Sequence, residues 1–515
     1  MQEEISGLAE ENIEHKVRTR FATRRTVLHV VLFLSLLGAG FSWILASPIG
    51  GSPDDDFHMG SIWCPRPASQ SCETRMADGY EEILVPEPVA LATDCHVAKT
   101  EQSAACPVSL SNDRTAYSDR FDRGNYPTGY YRFHHLLIRH SVADSIILMR
   151  TVNFLISVIL LGAVGSLLRP SQRQVYILAM LTTWMPMGMY FITSMNPSSW
   201  AITGVFTYAT AMYGSMTAKK IFNRRALLFI AYAGALLSFV SRGDSAFYIF
   251  VATAALAWAI KFKRDDYLLW INAAVLAVIG VYMMMGSGQA SIVANTTTDT
   301  GNPFVTALRT FYDLPRYYAG FLGYGLGPGW FDIPLDTTVT LLALFLTGSM
   351  IFLGASEGNW RKWMSVLMVA GAMSGIPVLI VTIGSYPRLG PYQPRYMLPL
   401  LAVFMFFLWA DRMGRAILST GQKIIMFVAL FVVYGATLHT VMWRYVSGIV
   451  GVHPVDLDAD VQWWWSVPIS PMSTWAIGTG SFLVFLLCIA FLWRKKPVAL
   501  SSRETAVDLG AVSAK

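Results

Sequence analysis

The sequence predicts an all-α polytopic membrane protein of about twelve transmembrane helices with one large extracytoplasmic loop. Three observations carry that prediction. Of the 515 residues, 54% are hydrophobic and only 14% charged, with a mean hydropathy of +0.45, a composition that fits many apolar spans better than one soluble core. Apolar runs close to the roughly 20 residues that a helix needs to cross a bilayer recur along the chain. Lysines and arginines gather in the short loops between those runs, as topology requires, so the net charge of +6 does not call for a nucleic-acid partner.

Residues 1–25 are acidic up to Glu14 and then basic through Lys16, Arg18, Arg20, Arg24 and Arg25, which keeps this tail in the cytoplasm. The first apolar run, Thr26 to Ser47, exceeds the roughly 7 to 15 apolar residues of a cleaved signal peptide and reads as a signal-anchor helix. A loop over 48–143 follows, rich in Pro, Ser, Asp and Cys and too long to be a mere connector. Its last part, Tyr126 to His140, mixes aromatics, cations and aliphatics in the manner of an interfacial amphipathic helix.

Further runs start near Asp144, Gln174, Ser198, Ala226, Asp244, Tyr267, Thr338, Trp363, Tyr396, Gln422 and Ser473. With the first they make about twelve spans, an even count that puts both termini on one side. Every inside loop is then basic: Arg169 and Arg173; Lys219, Lys220, Arg224 and Arg225; Lys261, Lys263 and Arg264; Arg361 and Lys362; Arg412 and Arg415; Arg494 to Lys496. The single transmembrane domain covers 26–496, and the polar tail 497–515 is expected to be cytoplasmic and disordered. These readings describe a multi-pass plasma-membrane protein with both ends in the cytoplasm.

Four cysteines, Cys64, Cys72, Cys95 and Cys106, fall in the first loop, and Cys488 lies in an apolar run. Two disulfides in an oxidising compartment are expected, with three pairings possible. The competing zinc site is disfavoured by C-x7-C and C-x10-C spacings.

The polar clusters of interest share the outside face. Asp54, Asp55 and Asp56, followed by His58, stand just beyond the first span, where several acids beside one imidazole suit divalent-metal coordination or general-base work. The competing reading is a solvated helix start, where Asp is favoured anyway. Arg242 and Asp244 occupy a short turn between spans, from which Arg242 either contacts a phosphate or pairs locally with Asp244. Arg388 and Arg395 bracket a proline-stiffened loop with Gln393 and Tyr396, suited to an anionic headgroup. The loop 286–337 holds the Gly-rich stretch Gly323 to Asp336 with Trp330 and Asp332. Without GxxxxGK[ST] it reads as a lid or re-entrant turn, not a nucleotide site. Ionisable residues near mid-span are almost absent, which weakens a proton- or ion-coupled transporter.

With those motifs placed, the chain resembles the polytopic membrane family called domain of unknown function 2142, within the GT-C-like glycosyltransferase group. The resemblance runs over roughly Leu28 to Arg412. A family pattern like PPDE-P-x-H-F is similar to Pro53 to His58, one like GWLDTPLP to Gly329–Pro334, and one like QGRY-x-LP to Gln393–Pro399, with Asp55 in place of Glu and Pro394 in place of Gly. What the wider group implies is a GT-C-like fold and a polyprenyl-phosphate-linked sugar donor. In it Asp54 and Asp55 would be the catalytic acidic pair, one binding Mg or Mn or taking the acceptor proton, beside His58. Arg242, Asp332, Arg388, Gln393, Arg395 and Tyr396 would then bind substrate.

The expected function is a membrane glycosyltransferase moving a sugar onto a glycan, lipid or protein acceptor at the extracytoplasmic face. The expected partners are membrane lipids and the lipid-linked donor, with no nucleic acid. A transporter or flippase of lipid-linked glycan is the alternative, and a non-catalytic receptor or scaffold the third class.

Overall fold

The computed structural model describes residues 26–107, 109–288, 302–356, 358–384, 389, 392–413, 417–451 and 453–493. Both tails, residues 289–301 of the loop 286–337 and Arg388 lie outside the described residues. Residues 1–34 with 484–515 form one compact unit and residues 35–483 another. The second carries the candidate site and both cavities.

Among the described residues the chain is helical with one small sheet. Eight helices are long and apolar enough to cross a membrane among the described residues: Thr26–Leu45 (α1), Val142–Leu167, Ile221–Ser241, a span over Arg264–Met285, Thr337–Gly354, Trp360–Ile383, Thr420–Val446 and Pro471–Leu492. Four more of the expected runs are helical but shorter or less apolar: Pro170–Thr183, Ser198–Thr217, Gly243–Ala259 and Leu398–Trp409. Two of these are interior elements. Apart from Tyr213 and Thr217, the whole of Ser198–Thr217 is buried, and so is nearly all of Leu398–Trp409. A helix wrapped by other helices needs no uniformly lipid-soluble surface, which lets Ser198–Thr217 carry four threonines and three serines, several of them bonded within the bundle, as Thr203 is to Ser157 and Thr210 to the Phe206 carbonyl.

Backbone proximity sets the centre of the bundle. A Cβ on Gly204 would stand 2.7 Å from the Gly234 carbonyl oxygen, and one on Gly234 would stand 2.8 Å from that of Gly204. Only glycine permits that crossing. The run expected to start near Gln174 ends at Thr183 and resumes as Met187–Ile192, because Pro186 supplies no N–H to continue the ladder.

The first loop departs from an all-helical reading. Strands Thr74–Ala77, Tyr80–Pro86 and Thr115–Ser118 form an antiparallel sheet, with Thr74 opposite Ile83 and Ile83 opposite Ser118. The first hairpin turns on Asp78 and Gly79, both with positive φ, the Asp-Gly signature of a two-residue turn. Disulfides Cys64–Cys72 and Cys95–Cys106 brace the loop, selecting one of the three pairings.

The helix at the end of that loop is Gly129–His135, and one face of it is turned into the protein. Tyr130, Tyr131 and His134 are buried. Tyr130 donates its hydroxyl to the Met195 carbonyl at 2.7 Å, and His134 Nε2 lies 2.9 Å from Asn153 Oδ1. Aromatic rings with polar tips are buried once those tips find partners, and here the neighbouring helices supply them.

A helix at Pro303–Ala319 interrupts the loop 286–337. It turns Thr310, Leu314 and Tyr317 inward and leaves Phe304, Val305, Leu308, Phe311 and Tyr312 exposed, the pattern of a helix lying in a membrane interface.

Candidate functional site

The site is organised by a ten-residue stretch with almost no secondary structure of its own. Between Ile44 and Pro53 the backbone acceptors are taken up by side chains from distant elements. Arg150, fully buried on Val142–Leu167, donates to the carbonyls of Ile44 at 3.1 Å, Ser47 at 2.6 Å and Pro48 at 2.7 Å. Trp465 Nε1 donates to Leu45 at 2.9 Å, and His96 Nε2 lies 3.2 Å from the Ile49 oxygen. Trp330 Nε1 donates to Gly50 at 2.8 Å, while Tyr190 and Tyr445 both donate to Gly51, at 2.5 and 2.8 Å. Asn196 Nδ2 and Arg395 reach Pro53, at 2.8 and 3.2 Å. A buried carbonyl without a donor costs about 1 to 3 kcal/mol, so this collar is what allows an irregular segment to sit inside the protein.

The collar delivers Asp54 in a fixed pose. Its φ of 61° lies in the left-handed region, a conformation that costs a non-glycine residue about 1 to 3 kcal/mol and concentrates at functional sites. The carboxylate is one-third exposed, 2.5 Å from Arg395 through one oxygen and 3.7 Å from Arg120 through the other. Burial pushes its pKa up, but the charges of Arg395 and Arg120 outweigh this and hold Asp54 below the usual carboxylate range.

The other acids of the triplet diverge. Asp55 is buried and turned away, accepting from the backbone N–H of Ser52 at 2.9 Å and from its hydroxyl. Burial pushes its pKa up to about 6, against the opposing charge of Arg150 and the Ser52 bonds. Asp56 holds Arg120 in a bidentate grip, at 2.8 and 3.3 Å, and so fixes the guanidinium that also faces Asp54.

His58 is fully buried, with Nδ1 3.0 Å from the Tyr131 hydroxyl and no hydrogen-bond partner for Nε2. Burial pulls its pKa down to about 3, and the nearby charge of Arg395 adds to this. It is a neutral imidazole at physiological pH.

Arg395 connects the parts. It is 3% exposed, with its guanidinium over the rings of Tyr396 at 5.1 Å and Phe331 at 5.5 Å. Phe331 itself has a φ of 62°, so two residues in left-handed backbone flank one arginine. Arg242 is also buried and makes a bidentate pair with Asp244, at 2.9 and 2.7 Å, the local pairing weighed above. Its guanidinium nevertheless sits 4.5 Å from the Tyr396 ring centre, at the edge of the same cluster.

Of the remaining expected binding residues, Gln393 accepts from the Tyr317 hydroxyl through its carbonyl at 3.0 Å, and its Oε1 is buried without a partner. Asp332 faces the other way, toward buried Arg444 at 3.5 Å. Arg444 also donates to Gln102 and His96 carbonyls. The Gly-rich stretch is thus clamped to the collar through Trp330, more than an open lid would be.

Asp54 and Asp55 do not converge as metal ligands. Asp54 faces two guanidiniums, Asp55 faces Ser52, and among the described residues no three His, Cys, Asp or Glu side chains form a ligand set. The donor set does not fit a metal, and no chemistry below passes through one.

Beside Gln393–Tyr396 an apolar cavity of about 300 Å³ opens between the helices Pro303–Ala319, Thr337–Gly354, Trp360–Ile383 and Leu398–Trp409, lined by Tyr318, Phe321, Leu344, Ile351, Met373 and Phe404 among others.

A family model described as "Predicted membrane protein (DUF2142)" matches residues 36–404. The chain belongs to that family. The matched DUF2142 region takes in the 44–53 stretch, Asp54, Arg120, Arg150, Arg242 and Arg395, and leaves out Tyr445 and Trp465 of the collar. No curated protein and no solved structure matches the chain.

Proposed function

We propose that this DUF2142 protein is a membrane glycosyltransferase of GT-C-like architecture that moves a sugar from a polyprenyl-phosphate donor to an acceptor hydroxyl at the extracytoplasmic face. The observation that carries the reading is the Asp54 carboxylate, one-third exposed in left-handed backbone and held between Arg395 and Arg120.

In the proposed reaction the acceptor oxygen attacks the anomeric carbon, the bond from that carbon to the phosphate oxygen breaks, and polyprenyl phosphate leaves with the bonding pair. The hydroxyl proton goes to Asp54. A carboxylate paired with guanidiniums is a poor base, but the donor phosphate competes for Arg395 and Arg120 and so returns Asp54 toward its ordinary basicity. Arginine suits that role because its planar fork takes phosphate bidentately. The polyprenyl chain would lie in the apolar cavity beside Gln393–Tyr396, with the exposed apolar face of Pro303–Ala319 seated in the interface.

The test supplies purified protein with a panel of polyprenyl-phosphate sugars and acceptors, with and without a chelator. Transfer that wild type performs and Asp54→Asn loses is the expected result. A wild type that transfers no sugar from any donor, or an Asp54→Asn variant that transfers normally, would overturn it. Loss of transfer on chelation would restore the separate proposal of a divalent metal.

We also propose a plasma-membrane location with about twelve spans, both termini in the cytoplasm and the disulfide-braced loop outside. An impermeant thiol reagent applied to intact cells should label Met76→Cys and spare Phe222→Cys. Both positions are well exposed, at 70% and 71%, so the opposite pattern would reverse the orientation.

A further inference from the structure

The helix Ser198–Thr217 begins beside the collar, where Ser198 meets Arg242, and rises about 30 Å over its 20 residues. That is close to the thickness of a bilayer core. Its far end opens onto a second cavity of about 440 Å³, lined among others by Arg169, Tyr213, Lys219, Arg224, Lys261 and Lys263.

The charge balance of this cavity is lopsided. Asp266 is the one acid in its lining, and Arg224 already neutralises it at 2.7 Å. Among the described residues no carboxylate pairs with Arg169, Lys219, Lys261 or Lys263, and Arg169 Nε is buried without a hydrogen-bond partner. Neighbouring cations at the same end are engaged: Lys362 pairs with Asp411, Arg361 donates to the Trp258 carbonyl and Arg173 to those of Ser166 and Leu168. Topology asks only that inside loops be basic. It does not ask four cations from three separate loops to converge on one hollow with no counter-charge. Thr217, held by Gln172 at 2.7 Å, and Tyr213 add hydroxyls to the wall.

We propose that this cavity binds a phosphate-bearing anion of at least two negative charges, supplied by a lipid headgroup of the adjoining leaflet. Basic pockets between transmembrane helices on one membrane face suit anionic headgroups, and this one lies at the ends of the apolar helices Ser198–Thr217 and Gly243–Ala259. The site is about 30 Å from Asp54 by the helix rise and does not depend on how the carboxylate site is read.

The experiment uses delipidated full-length protein in detergent. Native mass spectrometry counts retained lipid during titration with a doubly charged diphosphatidyl lipid, with phosphatidylglycerol and with phosphatidylethanolamine. A parallel arm measures protection by inorganic pyrophosphate in thermal unfolding. The expected order is doubly charged over singly charged over zwitterionic lipid, with binding weakened about fivefold for each cation removed in Arg169→Gln and in the double variant Lys261→Gln with Lys263→Gln. The two lysines are exposed, so the double variant keeps its fold if Arg169→Gln does not. Lys220→Gln, next to Lys219 but outside the cavity lining, should bind as wild type. Equal loss in Lys220→Gln, or no dependence on the cavity cations, would overturn the proposal. Pyrophosphate binding with the same variant dependence, without lipid retention, would overturn the lipid source and assign the site to a soluble phosphate.

Discussion

At the collar end the buried arginines are spent inside the protein, whereas at the far end of Ser198–Thr217 several described cations are not. Arg150 and Arg444 disappear into carbonyl oxygens. Arg395, Arg120 and Arg242 are each matched to an Asp. The collar end uses arginine, whose fork fills several acceptors at once, while the far end uses mostly lysine, a hydrated point charge. Buried arginines build a rigid frame that exposes one carboxylate. Unpaired lysines leave a hollow whose counter-charge must come from outside.

The largest effect expected of that contrast falls on Asp54. Asp54→Asn keeps size and removes the charge, and loss of a general base costs about 100- to 10,000-fold in rate. Asp56→Asn only loosens Arg120, so its loss should be much smaller at matched membrane abundance. Equal rates in the two variants would erase the distinction between the exposed carboxylate and its neighbour.

The frame itself breaks at Arg150. Arg150→Leu leaves the carbonyls of Ile44, Ser47 and Pro48 without their donor, at an expected cost of about 4 kcal/mol or more. Denaturant or thermal unfolding in detergent measures it. A near-wild-type stability would mean that the collar is ornament to the fold and that the collar end is no more rigid than the lysine end.

A smaller and pH-dependent effect comes from Asp55. Its folded pKa of about 6 is above the usual carboxylate value, so the folded state holds the proton more tightly than the unfolded chain. The stability this provides is complete below about pH 4 and is lost as pH rises through about 6, a change of about 3 kcal/mol. Asp55→Asn should flatten that part of the stability profile. An unchanged slope in the variant would show that Asp55 is solvated like a lysine-end charge.

Some of this was legible in the chain before any fold. The apolar runs and their basic loops located the long apolar helices, because lipid leaves a spanning backbone no partner but itself, but not Pro303–Ala319, which falls in an expected loop. The motif around Asp54, the loop at Gln393–Tyr396 and the turn at Arg242 were marked by residue type, and they meet. The hairpin at Asp78 and Gly79 has its signature in the sequence, a single Asp-Gly pair within a long loop. Arg150 is a cation toward one end of an apolar run, and nothing in residue type shows that its partners are three backbone carbonyls.

What the sequence by itself determined is the set of elements, since helix formation in lipid depends on local composition and length. Only the tertiary structure decided which of three adjacent carboxylates faces solvent. Asp54, Asp55 and Asp56 are chemically alike and share one helix start. Their fates are separated by Arg395 from 341 residues away, by Ser52 beneath and by Arg120 across the loop, and electrostatic surroundings of that kind are a property of packing and not of order along the chain.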